Sequence, residues 1–410
     1  MDLTAHIEKQ LLGGSQRICP AEQTLARILP HKDAFGITRL ANVTGLDRVG
    51  LPVVIAIRPN ARSIAVSQGK GMSLAHAKAS ALMESIEIWH AEHIDRPLYY
   101  ASVADLAPRH RFVDLARLPR TPRPQPPRTE RQHWITARDI LSDEDRLVPF
   151  EMVHADYTYP AIGEAGCYPA STNGLASGNH VMEAICHGIC EVIERDALAL
   201  WHARPVAHRA RTRLDAESIT DAPLRASLAR FAQAGLAVAI WEITTDLGVP
   251  SFMAVVQEPQ SESGHLGLGS GTHPDPTIAL HRTLNEAAQT RLNYISGARE
   301  DLFHAEFTAA GRAAKTDAFA DLLLPPPHQR RFDSGAGARL ADLHADLAWL
   351  QSRLQGTGIE EICVVDLTRA PFDIPVVRVI IPGLEAPHDD DAYVPGPRAA
   401  AVADTGGADA

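Results

Sequence analysis

A mixed α/β (α+β) fold, assembled from internally repeated strand-hairpin and helix units, is expected from three features of this sequence. A two-strand pattern occurs three times, each copy with a proline at the entry to a β-branched run. A Gly-rich turn that leads into an amphipathic helix also recurs. The recurring helices carry glutamates at matched distances from those turns.

The hairpins span residues 37–57, 238–256 and 362–381, and each has a Thr-containing turn between two extended runs. Pro52, Pro250 and Pro375 open the second run of each, where a strand tolerates a missing N–H donor. The turn-and-helix unit begins at Ser67-Gln-Gly-Lys-Gly71, with its helix reaching about residue 92. It returns at Gly174-Leu-Ala-Ser-Gly178 before a helix to about residue 201, and at Gly269-Ser-Gly271 before a helix over 276–295. Glu84 and Glu87 follow Gly71 by 13 and 16 positions, and Glu191 and Glu194 follow Gly178 by the same 13 and 16. In the third copy Glu286 and Gln289 stand at offsets 15 and 18 from Gly271.

Around these units the expected organisation is an N-terminal segment over 1–35, a main domain over 36–385 and a flexible tail over 386–410. The Pro/Arg-rich stretch 117–132 favours extended backbone over helix and reads as a solvated surface connection, with a partner-docking arm as the alternative.

Hydrophobic residues make up 45% and charged residues 22%, a composition able to bury a sizeable core. The formal net charge of −11 argues against nucleic acid as the main partner. Five cysteines without a CxxC pair point to a reducing cytosol. Neither a signal-peptide pattern nor a membrane-length apolar run is found, so a cytoplasmic protein is expected.

Residues three or four apart share a helix face, so Glu84 stands beside Glu87 and Glu191 beside Glu194. Glu183, His187, Glu191 and Glu194 form one polar stripe, backed by Ile185, Ile189, Val192 and Ile193. Like charges at this spacing destabilise an isolated helix, and cations reverse that. Mg²⁺ prefers hard oxygen ligands and combines a few carboxylates with substrate phosphates. Two facing Glu-x-x-Glu helices could therefore hold Mg²⁺ against a nucleoside triphosphate. The Gly turns and Lys70 would supply backbone N–H groups and a point charge for the phosphates. The spacing of a Walker A loop is missing, which disfavours a P-loop.

Taken together, these residues resemble the YcaO superfamily. The resemblance rests on Ser67-Gln-Gly-Lys-Gly71, Ala81-Leu-Met-Glu-Ser-Ile-Glu87, Asn173-Gly-Leu-Ala-Ser-Gly-Asn179, and Glu183-Ala followed by Glu191-Val-Ile-Glu-Arg-Asp196, and it extends over about residues 36–385. It implies ATP and Mg²⁺ as cofactors and activation of a peptide backbone amide by phosphorylation of its oxygen. Carried across residue by residue, it places Glu84, Glu87, Glu191 and Glu194 near metal. Ser67, Lys70, Asn179 and Arg195 become nucleotide contacts, Glu183 stands with either set, and Arg282 approaches the phosphates. In such chemistry the nucleophile sets the product: external sulfide gives a thioamide, and a neighbouring Cys, Ser or Thr of the substrate gives an azoline. Gly36-Ile-Thr-Arg, Val43-Thr-Gly-Leu-Asp-Arg, Pro382-Gly-Leu-Glu and Tyr393-Val-Pro-Gly-Pro-Arg look most like members that act with a TfuA partner, which are associated with thioamides. Many azoline-forming members end in Pro-x-Pro-x-Pro, whereas this chain has Pro395-Gly-Pro397 and continues to Ala410. The resemblance thus implies a thioamide in a ribosomally made peptide or protein, with an azoline-forming cyclodehydratase or a non-catalytic scaffold as alternatives.

Several other residues have plainer readings. Cys186 and Cys190, four apart on the second helix, read as small buried hydrophobes, and zinc lacks further ligands at recognisable spacing. His187 reads as a neutraliser of its acidic neighbours, with a proton shuttle as the alternative. Trp89, Trp134 and Trp201 read as core or rim aromatics. A Gly-x-Ser-x-Gly elbow is absent, so a Ser/His/Asp hydrolase is not supported. The oligomeric state stays open, a homodimer being the commonest symmetric assembly.

Overall fold

A computed structural model describes residues 3–12, 14–159, 166–259, 265–324, 326, 329–389 and 392–404. The N-terminal segment carries helix α1 (Ala21–Ile28). Strands β1 (Arg39–Asn42), β2 (Val53–Ile57) and β3 (Val66–Lys70) then form an antiparallel meander, followed by helix α2 (Leu74–Glu92). Next come β4 (Leu98–Ser102), β5 (Arg131–Asp139), β6 (Glu144–Pro149) and β7 (Leu175–Ser177), leading into α3 (Val181–Ala203) and α4 (Ala222–Gln233). A second meander, β8 (Ala237–Glu242), β9 (Ser251–Gln257) and β10 (Gly267–Thr272), precedes α5 (Pro276–Ser296) and α6 (Ala309–Leu323). The chain closes with α7 (Leu343–Gln355), β11 (Cys363–Asp366), β12 (Val376–Ile380) and α8 (Pro397–Asp404).

All three expected hairpins are present as antiparallel pairs, β1–β2, β8–β9 and β11–β12. Pro52, Pro250 and Pro375 each stand immediately before the second strand, where no ladder hydrogen bond is lost. In each case a third strand joins the hairpin and passes into a long helix: β3 into α2, β10 into α5, and β7 into α3. The middle unit is assembled out of order, because β12 returns from the far end of the chain to pair Val377 with Ala176. It belongs to a six-stranded sheet of order β4-β5-β11-β12-β7, with β6 on the other side of β5.

The Gly-rich segments correct the sequence reading. They are strands, not turns, and their glycines let a helix lie directly on the sheet. A Cβ on Gly69 would sit 2.0 Å from the Ala81 nitrogen and 2.1 Å from the Ala77 oxygen. One on Gly269 would meet the Ala287 nitrogen and Thr283 oxygen, both at 2.3 Å. This close approach sets the depth at which α2 and α5 present their polar faces.

Strand β12 is buried on both sides. Val377 and Val379 pack with Ile185, Ile189 and Val192 of α3, while Val376 and Ile380 join the cluster containing Leu82, Ile86 and Phe150. Trp134 and Trp201 are core residues, and Trp89 packs against Phe35 at the edge of the core.

The stretch 117–130 has no helix or strand, and Arg131 and Gln132 already belong to β5. The tail also differs from expectation: its described part carries α8 and is fastened down. Arg398 pairs with buried Asp196 at 2.9 and 3.0 Å and with Asp246. Glu385 accepts from the Tyr393 hydroxyl, the Gly396 N–H and the Ala399 N–H. Residues 405–410 lie outside the described residues. No helix of the described residues is long and apolar enough to cross a membrane.

Candidate functional site

The three long helices converge on a cleft of about 790 Å³, within the range of small-molecule sites. Each helix starts with a side-chain cap: Ser73 for α2, His180 for α3 and Asp275 for α5 accept from backbone N–H groups of their first turns. The polar stripe expected on α3 faces this cleft along its length, through Glu183, His187, Glu191 and Glu194, with Arg195 beside them. Glu84 and Glu87 of α2 line the same space, as do Arg282 and Glu286 of α5 and Gln68 and Lys70 of β3.

Hydrogen bonds fix the carboxylates to the strands. Glu84 accepts from the Gln68 N–H at 3.3 Å. Glu87 accepts from the N–H and hydroxyl of Ser177 at 2.7 and 2.6 Å. Ser270 donates to Glu194 at 2.7 Å and to Glu286 at 3.3 Å, and Lys70 forms a short ion pair with Glu286. Glu191 makes no hydrogen bond or ion pair among the described residues. Burial pushes the Glu84, Glu87 and Glu191 carboxyls up, Glu87 to about 8 and Glu191 to about 7. Repulsion from Glu84 and Glu191 adds to the effect at Glu87, against its Ser177 hydrogen bonds. At Glu286 burial acts in the same sense but is outweighed by Lys70, Arg195 and Arg282, which hold that carboxyl below its usual range.

Other predicted residues are placed differently. Ser67 is buried and does not line the cleft, because alternate residues of β3 face opposite sides and Gln68 and Lys70 take the cleft side. Asn179 borders the cleft with its amide already engaged: the oxygen accepts from Thr24 and Arg27, and the nitrogen donates to Glu183. Glu183 also accepts from the Asn179 and Ile18 N–H groups and lies 3.6 Å from Arg17, which ties the N-terminal segment to α3. His187 does not neutralise its neighbours. Burial, with Arg282 3.3 Å from its Nδ1, holds the imidazole far below its ordinary value, so it is neutral. Cys186 and Cys190 are buried thiols pushed up by burial, Cys190 to about 12.

Sequence reasoning missed Glu286, Gln68 and Arg17 as site residues. Glu286 had a weak signal, its displaced position in the third copy of the repeat. Gln68 and Arg17 had none, since each reaches the cleft only through strand pairing or the return of the N-terminal segment.

A family model described as YcaO cyclodehydratase, ATP- and Mg²⁺-binding, matches residues 68–385. The chain belongs to the YcaO family. Its cofactors are accordingly ATP and Mg²⁺, and its class is that of ATP-dependent, amide-modifying YcaO enzymes. An uncharacterized Rhizobium leguminosarum bv. trifolii protein in the tfuA 3′ region is 36% identical over 382 residues, covering 90% of this chain and 88% of its own length. An uncharacterized Methanothermobacter thermautotrophicus protein is 35% identical over 378 residues, covering 90% and 95%. The YcaO fold is seen in the structure from Methanopyrus kandleri bound with AMPPCP and Mg²⁺, which matches with a TM-score of 0.75 at 24% identity over 95% of this chain and 98% of that one. A heterocyclase in complex with substrate and cofactor matches with the same TM-score and identity over 93% of this chain and 54% of that chain.

The YcaO cofactors fit the residues present. Glu84, Glu87 and Glu191 are hard oxygen donors crowded half-buried in one cleft, and Glu191 has no hydrogen-bond or ion-pair partner among the described residues. A divalent cation would supply that partner. Lys70, Arg195 and Arg282 line the same cleft and suit a polyphosphate.

Proposed function

We propose that this YcaO protein replaces the oxygen of a peptide backbone amide with sulfur, giving a thioamide. The observation that carries this reading is the 36% identical relative in the tfuA 3′ region, which joins the motifs of this sequence that resemble YcaO members acting with a TfuA partner. A TfuA-like protein is then the partner that delivers sulfide. Seating of Tyr393 and Gly396 on Glu385 further supports the reading, since here the Pro395-Gly-Pro397 segment leads into α8 and is not the end of the chain.

In this proposal Glu84, Glu87, Glu191 and Glu194 hold Mg²⁺. Lys70, Arg195 and Arg282 face the phosphates, and Glu183 and Asn179 fix the N-terminal segment as a wall of the cleft. When bound, ATP with Mg²⁺ supplies the phosphoryl group that carries the amide oxygen away. The exchange balances without a redox partner: amide, hydrosulfide and ATP give thioamide, ADP and hydrogen phosphate. Sulfur and the oxygen it replaces have the same oxidation state. The work of the chain is therefore alignment and charge neutralisation.

The test is mass spectrometry of a candidate peptide after incubation with the purified protein, ATP, Mg²⁺ and sulfide, with and without the TfuA-like partner. A mass gain of one sulfur-for-oxygen exchange is expected. Loss of one water instead would establish the azoline reaction that the family description favours. ATP binding without turnover under every combination would indicate a scaffold.

A further inference from the structure

Strand β12 places an arginine in the middle of a β-branched run, Val376-Val-Arg-Val-Ile380, and the fold buries it. Arg378 is only 2% exposed and sits on the same side of the strand as Val376 and Ile380. Its Nη2 donates to the Ser171 carbonyl at 2.6 Å, whereas Nε and Nη1 are buried without a hydrogen-bond partner. Arg378 makes no ion pair among the described residues. A guanidinium held this way carries two unused donors, with Glu191 and Tyr157 acting on its charge only at longer range, and natural interiors rarely leave such donors standing.

Arg378 lines a small side cavity of about 30 Å³, room for about one or two water-sized species. The cavity adjoins the carboxylate cleft, since Ser171, Asn173 and Pro387 line both. The buried Asn173 Oδ1, in the shared wall, likewise lacks a partner. Glu385 is the only carboxylate of the wall among the described residues, and three donors already occupy it: the Tyr393 hydroxyl at 3.0 Å, the Gly396 N–H at 2.8 Å and the Ala399 N–H at 2.9 Å. The remaining wall is mainly apolar, including Met152, Val192 and Leu384.

We propose that this cavity is a site for a small monovalent anion, hydrosulfide during the reaction, with Arg378 as its binding cation. The assignment rests on the thioamide reading above, and its chemistry is specific. The sulfur lone pairs accept from the free guanidinium N–H groups, and the S–H can donate to the Asn173 amide oxygen. The shared walls place the anion next to the cleft where the amide carbon is attacked, with the Arg378 charge offsetting repulsion from Glu191.

Bromide, of similar charge and size, is the probe. Crystals of the full chain soaked in bromide are expected to show an anomalous peak within hydrogen-bond reach of Arg378. Bromide should also compete with sulfide, and not with ATP, in initial-rate assays. Arg378→Met should raise the sulfide KM by about tenfold or more with the ATP KM within about twofold, and Arg378→Lys should recover part of the loss. Thioamide formation with no bromide at Arg378, or bromide bound there without competition against sulfide, would overturn the pocket. A bromide peak in a protein that only removes water from its peptide would leave an anion site standing and overturn the hydrosulfide assignment together with the thioamide reading. Because the bromide and competition measurements use the wild-type chain, they decide the matter even where Arg378→Met does not fold.

Discussion

Replacing Glu191 with Gln tests the central feature of the cleft, a carboxylate with no hydrogen-bond or ion-pair partner among the described residues. In the metal-free chain burial raises its carboxyl from 4.5 to about 7. Such a shift corresponds to about 3 kcal/mol of destabilisation once the group is ionised. Contact with solvent in the open cleft reduces the expected effect to about 1–2 kcal/mol. The sign follows from linkage. A raised folded-state value means that the folded chain binds the proton more tightly, so the penalty is absent below pH 4.5 and grows as pH rises through 7. Glutamine does not titrate and keeps the shape. Glu191→Gln should therefore be more stable than wild type in EDTA at pH 8, and the two should converge near pH 5. At this chain length the gain amounts to a rise in Tm of about 1 °C per kcal/mol, measured by calorimetry. Addition of Mg²⁺ and ATP should stabilise wild type and leave the variant nearly unmoved, so the order of stability reverses. A variant less stable than wild type in EDTA at pH 8, or one that keeps the full Mg²⁺–ATP gain, would refute the reasoning.

Two structural perturbations follow from the same architecture. Gly69→Ala would drive a Cβ into the Ala81 and Ala77 backbone and should cost about 3 kcal/mol or more in urea denaturation, while Gly45→Ala, which meets nothing within 4 Å, should stay within about 1 kcal/mol. Equal effects of the two would remove the close approach of α2 to β3. Arg398→Ala leaves fully buried Asp196 without its cation and should cost about 3–5 kcal/mol, with ATP affinity falling because the segment through Pro387 and Asp389 borders the cleft. Adding Asp196→Asn should recover part of that stability, and a wild-type melt of Arg398→Ala would show that α8 is not fastened as described.

Much of the fold was legible because period and punctuation are local. The three hairpins announced themselves by β-branched runs behind prolines, and α2, α3 and α5 by their apolar backs. The carboxylate stripe of α3 could be read for the same reason, since residues three and four apart must share a face. The Gly-rich segments misled because glycine has two uses that a sequence does not separate, a tight turn and a close backbone approach. Here the second applies, and only the packing of Ala77 and Ala81 on Gly69 reveals it.

By itself the sequence determined the three hairpins, the three long helices, their repetition and the acidic face of each carboxylate helix, because these depend on spacings of a few residues. The tertiary structure alone decided that β12 returns to complete the middle unit, that Gln68 and not Ser67 reaches the cleft, and that Lys70 pairs with Glu286. It also decided that Arg378 lies buried beside that cleft with donors to spare. Each of these depends on contacts between segments far apart in the chain, and such contacts are set by how the sheets and helices pack, not by any local pattern.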